Sequence, residues 1–123
     1  RNMYDNKING HIINISSLSG HRIGSEGGMY AATKYAVTAI TESLRRELLS
    51  NNRKIKVTQV SPGLVKTDFH RHYFKNSTTA ESIYKQFRPL DAVNIADAVC
   101  YALEQPENVD VNDIFLRPIR QPL

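Results

Sequence analysis

The sequence contains a single cysteine, Cys100, among 123 residues. One thiol cannot close an internal disulfide, which excludes a disulfide-stabilised secreted scaffold and fits a reducing compartment. No apolar run is long enough to span a bilayer. Hydrophobic residues make up 41% and charged residues 23% of the chain, which argues for a globular rather than a disordered protein. We therefore expect a cytoplasmic protein without a membrane span, in which Cys100 is a core thiol.

A concentrated charge of one sign is also absent. The formal net charge is +4, but Lys and Arg are spread along the chain, and residues 104–113 carry four acids and no base. Without a basic stripe interleaved with aromatic residues, we expect no nucleic-acid partner. Mild basicity is also compatible with a pocket for a phosphorylated cofactor.

The four histidines show no ligand spacing with each other, with Cys100 or with acidic residues. Zinc sites in proteins place such ligands at short, regular intervals. We therefore expect no metal at His11, His21, His70 and His72.

Three short β-branched or apolar runs indicate buried strands. They are GHIINIS (10–16), IKVTQV (55–60) and DIFLRPI (113–119). A Ser- and Gly-rich loop follows the first run, and a Pro-Gly turn follows the second. Residues 70–89 lack clean periodicity and are interpreted as a mobile loop with short helices, in which HRHYF (70–74) is either a substrate lid or a plain surface loop.

Two amphipathic helices separate the strands. The first runs from about Gly28 to Ser50, with Arg45 and Arg46 on a solvated or subunit-facing side. The second is capped by Asp91 and runs to about Glu104. The inward residues are predicted to be Val37, Ile40, Leu44 and Leu48 in the first helix and Ile95, Val99, Ala102 and Leu103 in the second.

This alternation of strands and helices predicts an α/β fold with a parallel sheet and right-handed crossovers. Ligands of such sheets bind at the carboxyl ends of the strands. The Ser-rich loop, the Pro-Gly turn and the start of the first long helix therefore converge on one crevice.

Ser17, Tyr30 and Lys34 are the candidate catalytic residues of that crevice. Tyr30 and Lys34 are four residues apart and share one helix face. An ammonium about 4 Å from a phenol contributes on the order of 4 kcal/mol at an effective dielectric constant of about 20, enough to bring a tyrosine towards acid/base work near neutral pH. A serine hydroxyl beside the phenol can hold a substrate oxygen. The spacing to Tyr30 favours Ser17 over Ser16 for this role.

Three ordered motifs resemble the catalytic half of the short-chain dehydrogenase/reductase family. They are GHIINISSLSG, YAATK thirteen residues after Ser17, and VSPGLVKTDF after the next strand. The resemblance covers essentially all 123 residues. Within the family, GHIINISSLSGHRI and DIFLRPI are most similar to the NADP-dependent dehydrogenase/reductase member 11 type, to which insect farnesol dehydrogenases belong.

The resemblance implies a role for each matching residue. Tyr30 would be the acid/base, Ser17 would hold the substrate oxygen, and Lys34 would bind the nicotinamide ribose and lower the Tyr30 pKa. The nicotinamide end of the cofactor would be lined by Pro62, Gly63, Val65 and Thr67, with Asn14 and Ser16 at the strand end nearby.

The family's glycine-rich phosphate loop, its N-N-A-G stretch and its upstream catalytic asparagine have no counterpart here. Gly24, Gly27 and Gly28 do not replace the phosphate loop, because no strand precedes them in the required order. We therefore expect residues 1–123 to form the C-terminal catalytic part of one Rossmann-type, doubly wound domain. The N-terminal dinucleotide-binding half would be missing, and this piece alone would be inactive.

The resulting prediction is an NADP(H)-dependent oxidoreductase, with NAD(H) as the alternative cofactor. It would interconvert an alcohol and its carbonyl on an isoprenoid such as farnesol, a steroid-like compound or a small carbonyl compound. Packing of the first long helix against its counterpart would make a homodimer or homotetramer. Two rivals are a catalytically inactive dimerisation or interaction module and, less well supported because no sugar-nucleotide domain fits after Leu116, an epimerase or dehydratase of nucleotide sugars.

Overall fold

The computed structural model describes residues 1–24, 27–52, 54–74 and 77–121. The predicted loop residues Ser25 and Glu26, together with Lys75 and Asn76, lie outside this range. The elements in chain order are α1 (Asn2–Asp5), β1 (His11–Ile15), a short 3-10 helix (Leu18–Gly20), α2 (Gly28–Ser50), β2 (Lys56–Pro62), α3 (Asp68–Phe74), α4 (Ser77–Gln86), α5 (Ala92–Glu104) and β3 (Asp113–Leu116).

The three strands form one parallel sheet in the order β1-β2-β3. Ile13 is aligned with Thr58, and Val60 is aligned with Ile114. This confirms the predicted α/β fold of Rossmann-like type. Because β1 and β2 are parallel and aligned, the Ser-rich loop and the Pro-Gly turn leave the sheet at the same edge.

Helices α2 and α5 cover opposite faces of the sheet. The side chain of Gln59 in β2 donates to Thr38 of α2. The side chain of Lys56, an odd number of residues away in the same strand, reaches the carbonyl of Gln105 just after α5. Successive side chains of a strand point to opposite faces, so the layers are helix, sheet, helix. The connections β1–α2–β2 and β2–α5–β3 both move to the next strand in the same direction, but their helices lie on opposite faces of the sheet. The two crossovers therefore have opposite handedness, and the prediction that both are right-handed is wrong for one of them.

The face of α2 that packs on the sheet is largely small and polar. Thr41 is fully buried and accepts a hydrogen bond from the Asn14 amide, at 2.8 Å between Nδ2 and Oγ1. Ala31 and Leu48 lie on the same side. The predicted inward Ile40 is 64% exposed, so that assignment was wrong. Leu48 is buried as predicted, whereas apolar periodicity failed to indicate Thr41, whose polar group is buried with its hydrogen bonds satisfied.

Arg45 was also assigned to the wrong side of α2. Its Nε donates to the carbonyl of Val57, 3.0 Å away, and its Nη1 lies 3.3 Å from the Asp113 carboxylate. A third bond joins its Nη2 to the carbonyl of Asn112. Arg46 does face solvent, where it pairs with Glu42 one turn earlier. Arg45 therefore connects α2 to both β2 and β3.

Helix α5 begins as predicted, with a reciprocal capping box between Asp91 and Asn94. Ala102 is fully buried. Leu103 is 50% exposed and Cys100 is exposed, so neither is the core residue that the sequence predicted. Both lie beyond the edge of the stripe that includes Ile95, Val99 and Ala102, the stripe that meets the sheet.

Residues 70–89, predicted as a loop with short helices, are mainly helical in α3 and α4. Strand β2 continues two residues past the predicted end, to Pro62, and β3 ends three residues early, at Leu116. Among the described residues, none of the helices combines the length and apolar composition needed to cross a bilayer.

Candidate active site

The predicted site residues line one cavity of about 550 Å³ at the carboxyl edge of the sheet. Segments far apart in sequence meet there: the loop after β1, the first turns of α2, the turn after β2 and one side of α5. The predicted residues in the lining are Ser16, Ser17, Tyr30, Lys34, Pro62, Gly63, Val65 and Thr67. Lys34 is the one charged side chain among the described lining residues.

Ser17 caps the short 3-10 helix and is buried. Its Oγ accepts a hydrogen bond from the backbone N–H of Ser19 at 3.1 Å. This bond occupies a lone pair and leaves the hydroxyl hydrogen for another acceptor. The neighbouring Ser16 hydroxyl donates to the carbonyl of Lys34 at 3.3 Å. Of the two serines, Ser17 is thus the one with a donor left for a ligand.

Tyr30 and Lys34 occupy consecutive turns at the start of α2. The Lys34 Nζ lies 5.8 Å from the centre of the Tyr30 ring and donates to the carbonyl of Ile15 at 3.2 Å. Burial lowers the pKa of Lys34. The predicted tuning of Tyr30 by Lys34 stays a prediction.

An aromatic cover over Tyr30 was not foreseen from the sequence. The ring centres of Phe69 and Tyr73, one helical turn apart in α3, lie 5.4 and 5.7 Å from that of Tyr30. The two covering rings are stacked on each other. The lack of a side chain at Gly27 leaves room for Tyr73, because a Cβ there would lie 2.6 Å from the Tyr73 hydroxyl. The φ of Gly27, +83°, also favours glycine. The four-residue spacing of Phe69 and Tyr73 after the Pro-Gly turn was the available signal.

The turn after β2 is held by backbone bonds from three directions. Gly63 N–H donates to the carbonyl of Leu116 at 2.6 Å, and Leu64 N–H donates to Gln121 Oε1 at 2.8 Å. Val65 forms an isolated β-bridge with Leu90, in which Lys66 N–H donates to the Leu90 carbonyl and Leu90 N–H donates to the Leu64 carbonyl. This bridge does not use the N–H and C=O of Val65. Gln121, which also lines the cavity, was missed by sequence reasoning.

Two predicted residues at the edge of the site behave differently. Thr67 lines the cavity, and its Oγ1 accepts from Phe69 N–H at 3.3 Å. Asn14 lies outside the lining, and its amide donates to Thr41 of α2. In the described part of the chain, no three His, Cys, Asp or Glu side chains cluster as metal ligands.

Comparison with known proteins identifies the family. The model of the family described as short chain dehydrogenase matches residues 1–78. The chain belongs to this family. The dehydrogenase/reductase SDR family member 11 of Mus musculus is 45% identical over 91% of this chain and 44% of its own length. The protein of the same name from Homo sapiens is 44% identical over 94% of this chain and 46% of its own length.

A solved structure gives the same result. The closed form of serine dehydrogenase complexed with NADP+ superposes with a TM-score of 0.89 and 32% sequence identity, covering 98% of this chain and 48% of that one. The chain therefore spans about half the length of the relatives that it matches. The predicted family and Rossmann-like fold are confirmed, whereas the likeness to insect farnesol dehydrogenases stays a prediction.

Proposed function

We propose that this chain carries the acid/base and oxygen-binding groups of an NADP(H)-dependent oxidoreductase that interconverts an alcohol and its carbonyl. The observation that supports it most is the meeting of Ser17, Tyr30 and Lys34 in one cavity beside the Pro62–Gly63 turn. Family membership with SDR oxidoreductases gives independent support.

In this proposal the protein residues handle the proton and the oxygen. The Ser17 hydroxyl, which already accepts from Ser19, donates its hydrogen to the substrate oxygen. The Tyr30 hydroxyl gives a proton to that oxygen during reduction and takes it back during oxidation. A bound nicotinamide coenzyme supplies or accepts the hydride at the substrate carbon.

The residues present fit the nicotinamide end of such a cofactor. The Lys34 ammonium has three N–H donors, and the bond to Ile15 uses one, which leaves donors for ribose hydroxyls. The Val65 N–H and C=O, unused by the bridge to Leu90, suit a carboxamide. We propose NADP(H), supported by the NADP+ complex of the similar serine dehydrogenase, with NAD(H) as the alternative.

The lining favours an uncharged, largely apolar substrate. Apart from Lys34, none of the described lining side chains is charged, and the apolar ones include Leu64, Phe69, Ile95 and Val99. A carboxylate or phosphate on the substrate would have to compete with the coenzyme for Lys34. An isoprenoid alcohol such as farnesol, a steroid-like compound or a small apolar carbonyl compound fits this lining.

The decisive experiment replaces Tyr30 in the natural protein that carries this chain. Tyr30→Phe should lower turnover of farnesol or its aldehyde by at least about 100-fold, because the proton donor is lost. NADPH affinity, measured by fluorescence titration, should stay within about 3-fold, since the ring remains. Tyr35→Phe, on the exposed side of the same helix, is the matched control. An active Tyr30→Phe protein would overturn the assignment.

The exposed side of α2 supports an oligomer and, as a second candidate, an interaction module without catalysis. Met29 and Ile40, which are eleven residues apart and therefore lie on nearly the same side of the helix, are 81% and 64% exposed. We propose that this side packs against its counterpart in a homodimer or homotetramer. Ile40→Glu should then dissociate the oligomer in light-scattering measurements. Natural protein that associates through α2 but neither binds NADP(H) nor turns over any of these substrates would favour the second candidate.

A further inference from the structure

The Ser17 loop is anchored on one side to α2. Gly20, at the end of the 3-10 helix, lies so close to α2 that a Cβ would stand 2.8 Å from the carbonyl oxygen of Lys34 and 2.9 Å from the hydroxyl of Thr38. The Thr38 hydroxyl is also 3.2 Å from the carbonyl oxygen of Gly20. The loop therefore sits directly on the helical turn that carries Lys34.

His21 anchors the other side of the same loop to β2. Its Nε2 lies 3.0 Å from the Ser61 hydroxyl and 3.0 Å from the Gln59 amide nitrogen. Its ring also meets Phe115 of β3 edge-on, at 4.6 Å between centres. Ser61 immediately precedes the Pro62–Gly63 turn, so one imidazole connects the loop that holds Ser17 to the strand end that leads into the proposed nicotinamide contacts.

The charges around His21 determine which atoms carry the hydrogens. The Gln59 amide nitrogen is 3.3 Å from Asp113 Oδ1, and a carboxylate can only accept. This orients the Gln59 amide group with its N–H donors towards both Asp113 and His21. Because the Gln59 nitrogen cannot accept, Nε2 of His21 is the acceptor of this contact, and its one lone pair is shared between the Gln59 N–H and the Ser61 hydroxyl. Arg45 holds the other oxygen of Asp113 and completes a chain of bonds from α2 to the loop.

We propose that His21 is a positioning residue, whose Nε2 acceptor holds the Ser17 hydroxyl in register with Tyr30 by fixing the loop to Ser61 and Gln59. Its consequence for catalysis rests on the function proposed above. Loss of the acceptor would remove the contact that joins the loop to Ser61 and Gln59 of β2 and release the loop. A displacement of about 1 Å at a reacting group costs on the order of 100-fold in rate.

The first test uses hydrogen exchange and needs no turnover. The Ser19 N–H is bonded to Ser17 Oγ, so its exchange rate reports the order of this loop. In the natural protein, His21→Met should speed Ser19 exchange by at least about 10-fold, whereas His21→Gln, which places an oxygen acceptor near the position of Nε2, should not. Ser61→Ala, a smaller change, should act like His21→Met. Arg22→Met, an exposed neighbour, is the control. Unchanged exchange in both His21→Met and Ser61→Ala would overturn the proposal.

The second test measures kinetics. His21→Met should lower kcat about 10- to 100-fold with NADPH affinity unchanged, and His21→Gln should recover most of the rate. In a Ser17→Ala background, His21→Met should have no further effect, because both changes act through one hydroxyl. A full His21→Met effect in that background would overturn the proposal. Normal kcat in Ser17→Ala would instead overturn the role proposed for Ser17, while the exchange result for His21 would stand.

Discussion

The ammonium of Lys34 donates a hydrogen bond to the backbone carbonyl of Ile15, with 3.2 Å between Nζ and O. The bond joins the second turn of α2 to the last residue of β1. It keeps a half-buried positive charge at the edge of the sheet, beside the Tyr30 ring. This bond orients the Lys34 side chain, so little of its side-chain entropy would be lost on binding a coenzyme.

Lys34→Met should weaken NADPH binding by at least about 10-fold and lower kcat as well, since the ribose contact and the charge beside Tyr30 are lost together. Fluorescence titration and steady-state kinetics of the natural protein measure the two effects. Lys85→Met, at an exposed position of α4, is the control for a simple change in net charge. Normal coenzyme affinity in Lys34→Met would contradict the ribose contact.

His11 should make the fold less stable in mild acid. Burial, followed by the charge of Lys56, lowers the pKa of this histidine. Thr58 donates its hydroxyl hydrogen to the carbonyl of Val111, so His11 Nε2 carries the proton that Thr58 Oγ1 accepts. Nδ1 is buried and has no partner among the described residues. A proton added there would be buried without an acceptor.

The sign follows from proton binding. With a folded-state pKa below 6.5, the unfolded chain binds more protons, so the free energy of unfolding should fall as the pH drops from about 6.5 through the lowered pKa. Urea titrations across that range should show a shallower fall for His11→Gln. His72→Gln, at an exposed position of α3, is the control. Equal slopes for wild type and His11→Gln would refute the assignment to His11.

The sequence could predict that the candidate site residues meet in one cavity, because its signals are local. Ser17 and the Pro62–Gly63 turn directly follow strands, and Tyr30 and Lys34 lie on one face near the start of a long helix. The rule that parallel strands share a carboxyl edge then brings these residues together. The bounds of α2, Gly28 and Ser50, agree with the prediction.

The packing of α2 could not be predicted in the same way. Apolar periodicity assumes that hydrophobic side chains face the core, yet Thr41 and Gln59 are fully buried while Ile40 is exposed. Their burial is tolerable because Asn14, Thr38 and Asp113 supply hydrogen bonds from other elements. These hydrogen-bond partners lie far away in the sequence, so they can be identified only from the folded structure. The same holds for the contact of Phe69 with the Tyr30 ring.

Gly27→Ala should disturb the aromatic cover. The backbone at Gly27 has a φ of +83°, which costs an L residue about 1–2 kcal/mol, and the new Cβ would collide with the Tyr73 hydroxyl. We expect an increase in KM for the apolar substrate, with less effect on NADPH affinity, because the Tyr73 side chain must shift from its place over Tyr30. Steady-state kinetics measure both.

The matched control is Gly28→Ala, where a Cβ meets no atom within 4 Å and the helix has already begun. This variant should be as active as wild type and at least as stable. Tyr73→Phe combined with Gly27→Ala should recover part of the lost affinity, because the colliding hydroxyl is gone. Equal KM values for Gly27→Ala and Gly28→Ala would show that the position of Tyr73 does not depend on the space at Gly27.

Arg45→Met should destabilise the fold far more than Arg46→Met. Arg45 is 16% exposed and bonds the carbonyl of Val57 and the carboxylate of Asp113, so its removal takes a donor from a strand carbonyl and from Oδ2 of a partly buried acid. We expect a loss of about 2–3 kcal/mol, below the range for a fully buried pair because Asp113 is one-third exposed. Arg46 is 79% exposed, and its loss should change the urea midpoint little. Equal midpoints for the two variants would mean that Arg45 contributes no more than a surface pair. A loss of stability in Arg45→Met alone would show that this arginine holds α2 against β2 and β3. Because Asp113 also accepts from Gln59, which contacts His21, Arg45 would then help to position His21 as well.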